Sequence, residues 1–129
     1  MAVWANTRAA DETGVRCRLR DAKIERYFSS VITSVDAGFR KPAPEFFQLA
    51  LANWNFVKAD ILFVCNQINT DVFGAEQYGI RTAWLSGPEF RSDDETMTLA
   101  DAQPSFIISD LTQLPSLLQT IAVRASSSA

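Results

Sequence analysis

Five short apolar runs, separated by longer stretches with helical patterning, constrain this 129-residue chain more than any other feature. The runs are Ala2 to Ala5, Ser30 to Thr33, Ile61 to Val64, Thr82 to Leu85 and Phe106 to Ile108. Strands that alternate with helices are joined by crossovers, so the pattern predicts an α/β fold with a mainly parallel sheet. Thr7 to about Leu19 reads as a helix whose mixed arginines and acids form a solvated face. Ala43 to Trp54 is the strongest helix. Pro44 suits its first turn, Glu45 complements the N-terminal dipole, and Phe46, Phe47, Ala50, Leu51 and Trp54 recur at helical spacing as core. Asn69 or Thr70 caps a short helix that runs to Tyr78, with Gly79 as its left-handed stop. Gly87 to Pro104, including Ser92-Asp-Asp-Glu95, reads as a polar loop. Pro115 opens a closing helix that ends near Val123. Residues 1–124 then form one domain and 125–129 a flexible tail.

Hydrophobic residues make up 47% of the chain and charged residues 21%, which fits a globular domain of ordinary size. The net charge of -3 argues against a dense basic surface, so no nucleic-acid partner is expected. No apolar run approaches the roughly 20 residues that span a bilayer, and none has the layout of a targeting segment. Cys17 and Cys65 make no disulfide framework and read as free thiols, so a cytoplasmic location and no membrane partner are expected. The chain has no histidine, which removes Ser-His and Cys-His catalysis and histidine metal ligands together. Chemistry must come from carboxylates, Lys, Ser/Thr, Tyr or Cys.

Two segments concentrate such groups. The first is Thr33-Ser-Val-Asp-Ala-Gly-Phe-Arg-Lys-Pro-Ala-Pro-Glu-Phe-Phe47, in which a strand end leads through Asp36, Gly38 and Arg40-Lys41-Pro42 into a helix opened by Pro44. A lysine held at a strand end can neutralise a carboxylate and a bound phosphate together, whereas Lys-Pro alone reads as an exposed loop lysine. The second is Phe63-Val-Cys-Asn-Gln-Ile-Asn-Thr-Asp-Val-Phe-Gly-Ala75, another strand-to-helix turn. Cys65 lies at that strand end, either as a thiolate near Lys41 or as a buried inert thiol.

Together these segments resemble the last two of the four signature motifs of the haloacid dehalogenase superfamily, and the resemblance extends from Ala2 to about Leu118. It implies a three-layer α/β/α sandwich with a Rossmann-like sheet and a site at the carboxyl ends of the strands. Lys41 matches the lysine that steadies an anionic nucleophile and the group transferred to it. Asp71 and Asn66 match the turn that holds Mg²⁺. Where the family has Gly-Asp this chain has Cys65-Asn66, and a neutral amide oxygen is a poorer ligand for a hard cation, so Mg²⁺ binding is expected to be weak or lost. Asp71 either keeps a metal role or sits in the first turn of its helix, where the dipole favours it. Val3-Trp-Ala-Asn-Thr7 matches the strand end of the second motif, with Ala5 where the family places a hydroxyl. Asn6, Thr7 and Arg8 are the candidate substrate contacts there, Arg8 at a helix N-terminus or simply solvated.

The resemblance also implies an opening strand with an Asp-x-Asp nucleophile motif and a cap domain, and neither pattern occurs in these residues. The expectation is a core domain without autonomous hydrolase activity that keeps a surface for a small anionic ligand or a protein. The alternative is a phosphatase or dehalogenase whose nucleophile strand comes from another polypeptide. A response-regulator-like receiver ranks last, because no early acidic cluster precedes Lys41. An empty central slot would strand buried amides and carbonyls at about 1–3 kcal/mol each. Direct pairing of Ala2 to Ala5 with Ile61 to Val64, together with a homodimer, is therefore expected.

Overall fold

A computed structural model describes residues 1–90 and 95–127. Five strands form where the apolar runs lie: β1 (Ala2–Ala5), β2 (Ser30–Thr33), β3 (Leu62–Cys65), β4 (Arg81–Leu85) and β5 (Phe106–Ile108). The helices are α1 (Glu12–Asp21), α2 (Ser34–Ala37), α3 (Pro44–Ala52), α4 (Phe73–Tyr78), α5 (Leu99–Ala102) and α6 (Leu114–Ser127). Every strand pair is parallel. The α/β class and the parallel, Rossmann-like pairing thus match the sequence pattern.

The connectivity of the sheet departs from expectation. Strands β1 and β2 form one sheet, β3, β4 and β5 another, and β1 does not pair with β3. The expected direct pairing of Ala2 to Ala5 with Ile61 to Val64 is therefore overturned. Helix α3 explains how the two half-sheets stay together without it. Trp4 of β1 and Phe63 of β3 meet at 5.5 Å between ring centroids, and Phe47 of α3 touches both, at 6.2 and 6.4 Å. Trp54 and Tyr78 extend this cluster, whose buried members Phe46, Phe47, Ala50, Ile61, Ala75 and Ile80 come from both sides of the divide. Aromatic rings bury large areas without needing strand register, so one amphipathic helix can bridge two sheets that share no ladder.

Local chemistry sets the ends of the elements. Asp11 caps α1 by accepting from the Gly14 amide, so this helix starts at Glu12 rather than near Thr7. Gly38 and Gly79 end α2 and α4 at φ 77° and 91°, the left-handed region that glycine enters without strain. A π-helical turn, Ile68–Val72, precedes α4, and neither Asn69 nor Thr70 caps that helix. Within the expected loop Gly87 to Pro104, Thr98 and Asp101 form a capping box that starts α5. The acids of the Ser92 to Glu95 run lie outside the described residues up to position 94. Helix α6 continues to Ser127, so the expected tail from residue 125 is helical as far as described. The Glu76 carboxylate ties α4 to the sheet by accepting from the Thr82 and Ser105 amides, both at 3.0 Å.

Gly74 controls how closely α4 approaches the loop before α3. A Cβ there would lie 2.9 Å from Pro42 Cα and Cβ and 3.0 Å from Phe47 Cε2. Alanine would gain about 1 kcal/mol in helix propensity, but overpacking against backbone costs about 1–3 kcal/mol. Gly74→Ala is therefore expected to lower the urea midpoint at unchanged slope. A raised midpoint would show that Pro42 yields freely.

Candidate functional site

The loops that follow β1 and β2 are stitched together. Asn6 Nδ2 donates to the Lys41 carbonyl at 3.0 Å while the Lys41 amide donates to Asn6 Oδ1 at 2.8 Å. The Thr7 amide donates to Ser34 Oγ, which donates back to the Thr7 carbonyl, and Arg40 donates to that same carbonyl at 2.7 Å. This clamp fixes the Lys41 backbone and sends its side chain inward, where the residue is only 6% exposed. The Lys41 ammonium donates to the Trp4 carbonyl at 2.7 Å and pairs with Asp71 Oδ1 at 2.6 Å. The Phe63 and Phe46 rings lie 5.1 and 5.7 Å from it.

Asp71 reaches this position from the π-helical turn after β3. The turn folds back on Gln67, whose carbonyl accepts from the Asp71 amide at 2.9 Å, and Asp71 is buried at 6% exposure. A cleft of about 320 Å³ opens beside the pair, lined by residues that include Ala5, Asn6, Lys41, Cys65, Asn66, Thr70 and Asp71. An ammonium has three donors, and two acceptors within 2.7 Å are recorded for Lys41 among the described residues. One N–H is thus left to serve a ligand oxygen.

The candidates from sequence divide into two groups. Lys41, Asp71, Asn66 and Asn6 converge on the cleft. Asn6, expected as a substrate contact, instead uses both ends of its amide to hold Lys41. Thr7 and Arg8 are not in the cleft lining. The Thr7 hydroxyl donates to the Ala10 carbonyl at 2.6 Å, and Arg8 is exposed in a bend before Asp11, not at a helix N-terminus. Two contributors escaped the sequence reading: the Trp4 carbonyl and the Phe63 ring. A backbone acceptor leaves no signature in residue types, although a tryptophan one residue before the Ala5-Asn6 strand end was a usable signal.

The donor set was tested against Mg²⁺. Asp71 Oδ1 is already neutralised by Lys41, and Asn66 Nδ2 donates to the Phe90 carbonyl at 2.8 Å. The described residues contain no cluster of three carboxylate, cysteine or histidine groups able to hold a metal. One committed carboxylate and one amide do not make the anionic oxygen shell that Mg²⁺ requires. Cys65 is equally unsuited to nucleophilic work. Burial, reinforced by the Asp71 charge and only partly offset by Lys41, pushes its thiol far above the ordinary range.

With this geometry in view, the comparisons with known proteins are consistent with one another. The HAD-hydrolase-like family model matches residues 38–114, more than half of the chain. The (S)-2-haloacid dehalogenase 2 of Pseudomonas sp. strain CBS-3 is 32% identical over 98 residues, covering 76% of this chain and 40% of that protein. The glyceraldehyde 3-phosphate phosphatase of Pyrococcus furiosus is 29% identical over 98 residues, covering 75% of this chain and 39% of the phosphatase. A magnesium-bound crystal structure of the HAD-hydrolase YfnB from Bacillus subtilis superposes with a TM-score of 0.73 at 23% identity, covering 91% of this chain and 48% of that one. The chain belongs to the HAD-like hydrolase family. It spans about 40% of the length of the curated relatives it matches.

Two measurements test the site. Removing one partner of a buried ion pair costs about 3–5 kcal/mol, because the other charge stays buried and unpaired. Lys41→Met and Asp71→Asn are each expected to destabilise by that order in urea unfolding, with the double variant well short of the sum. Strict additivity would show that the pair is not coupled. Separately, iodoacetamide at pH 8 is expected to label exposed Cys17 and spare Cys65 in the folded protein, read by peptide mass. Equal labelling would contradict the buried-thiol assignment.

Proposed function

We propose that residues 1–129 form a HAD-type domain that holds a small anion at Lys41 without hydrolysing it unaided. The third N–H of the buried Lys41 ammonium, facing a cleft at the carboxyl ends of β1 and β3, is the observation that carries this reading. Hydrolysis by covalent catalysis needs a carboxylate nucleophile, and among the described residues the cleft lining supplies one carboxylate, Asp71. For Asp71 to attack, it would have to leave a 2.6 Å ion pair in a buried setting, at a cost of several kcal/mol. Pairing with Asp71 also weakens the pull of Lys41 on a second anion, so binding is modest. Relatives named for 2-haloacids and for glyceraldehyde 3-phosphate share one chemical feature, a small anionic substrate, and that is the ligand class proposed here. Any Mg²⁺ at Asp71 and Asn66 would bind weakly.

A second reading is a dehalogenase or phosphatase that becomes active when another polypeptide supplies the nucleophile strand. The open divide between β1 and β3, directly beside Lys41, favours it. One set of experiments separates the two. Purified protein is expected to show no turnover of p-nitrophenyl phosphate or 2-chloropropionate above a Lys41→Ala control, with or without Mg²⁺. Inorganic phosphate is expected to shift the Lys41 side-chain NMR signals with a Kd of about 1 mM, and not to bind Lys41→Met. Turnover that disappears in Lys41→Ala would sink the non-hydrolytic reading, and unperturbed Lys41 signals would sink the anion site.

A further inference from the structure

The structure contains two sheet edges that face each other across an open gap. The N-terminal residues of β1 and the segment Ile61 to Val64 line one cavity of about 590 Å³. The strand ends Trp4 to Asn6 and Phe63 to Gln67 line the smaller cleft at Lys41. Matching ends of β1 and β3 therefore lie side by side, and the two strands run in the same direction. The Met1 carbonyl accepts from the Ser29 amide, so the alternate residues Val3 and Ala5 share the edge that faces β2. Ala2 and Trp4 then turn their backbone groups to the opposite edge, the one that borders the gap.

The gap has the lining of a sheet interior. Val3, Leu62, Phe63 and Val64 stay half-buried, whereas β4, flanked on both sides, buries Thr82, Ala83, Trp84 and Leu85. Leu111 and Leu114 continue the apolar wall. Helix α6 packs mainly on the turn just before it, and its stripe Leu114, Leu117, Ile121 is only half-buried. The buried Trp4 indole N–H, in the wall of both cavities, has no acceptor among the described residues. A buried donor without a partner is a recurrent mark of something yet to be bound.

We propose that this gap binds an extended peptide segment as an added strand, parallel to β1 and β3. The added backbone would pair with the free edges of Ala2, Trp4 and β3, which is the way sheet edges take up peptides. Three features define the occupant. The two parallel edges require an extended backbone without proline. The walls from Met1 to Trp4 and Ile61 to Val64 require about four apolar residues, the length of the bordering strands. The spare N–H of Lys41, at the carboxyl end of the gap, requires an acidic side chain at the carboxyl end of the segment. A second copy of this chain is a poor source, because all five apolar runs already serve as β1 to β5 and one would have to unfold. The proposal supplies the kind of partner that the second functional reading needs, yet it requires only the sheet edges. Failure of phosphate to bind leaves it intact.

The test uses the full chain and a synthetic peptide of two lysines, four alternating valines and isoleucines and a final aspartate. Saturable binding by tryptophan fluorescence is expected. Amide exchange at Trp4 and along β3 should slow at least about tenfold, as for edge amides drawn into a ladder. The same peptide with a central proline should not bind, and one ending in asparagine should bind several-fold more weakly. No saturation up to about 1 mM, or equal binding of the proline peptide, overturns the strand site. Equal binding of the asparagine peptide overturns the acidic terminus. Dimerisation by light scattering that protects the same amides without peptide makes the occupant a second copy and overturns the partner assigned here.

Discussion

The Lys41 ammonium is the one charged group that touches both halves of this fold. It takes the Trp4 carbonyl from β1 and the Asp71 carboxylate from the turn after β3, at 2.7 and 2.6 Å. Such a pair survives burial only if its remaining polar atoms are satisfied and its geometry is held from outside. The holding comes from Asn6, which clamps the Lys41 backbone, and from Gly74, whose missing side chain lets α4 settle on Pro42. Loop chemistry and helix packing therefore converge on a single distance.

That ion pair and the aromatic cluster under α3 do the work that a continuous hydrogen-bond ladder does in most parallel sheets. The two devices act at different places. Trp4, Phe47 and Phe63 close one face of the divide with apolar area, which needs no register. Lys41 and Asp71 close its carboxyl end with charge. Neither satisfies the strand edges between them, and the gap remains open along β1 and β3.

Membership of the HAD-like hydrolase family and the state of the site are separate matters. A fold can host many activities, so function has to be argued from the groups that meet the ligand. Here the lysine is placed and supported, while the carboxylate beside it is already spent on the ion pair. Asn66, in turn, gives its amide to the Phe90 carbonyl. What is built in this cleft is the positive, anion-steadying part of a hydrolytic centre.

The sequence alone determined the strands, the class of fold and the convergence of Lys41, Asp71, Asn66 and Asn6, because period, strand-end position and loop order are local properties of the chain. It also determined which helix would carry the core, since Phe46, Phe47 and Ala50 repeat at helical spacing and are fully buried. Thr7 and Arg8 were misplaced because a cap at Asp11, a short-range but alternative helix start, moved the first helix away from the strand end. Tertiary structure decided whether β1 and β3 would touch, that Asn6 would serve Lys41 rather than a substrate, and that a tryptophan carbonyl would complete the ammonium's shell. These outcomes turn on how far apart two edges are held by an aromatic helix and on which backbone atoms point into a gap, and neither quantity is written in the identity of any single residue.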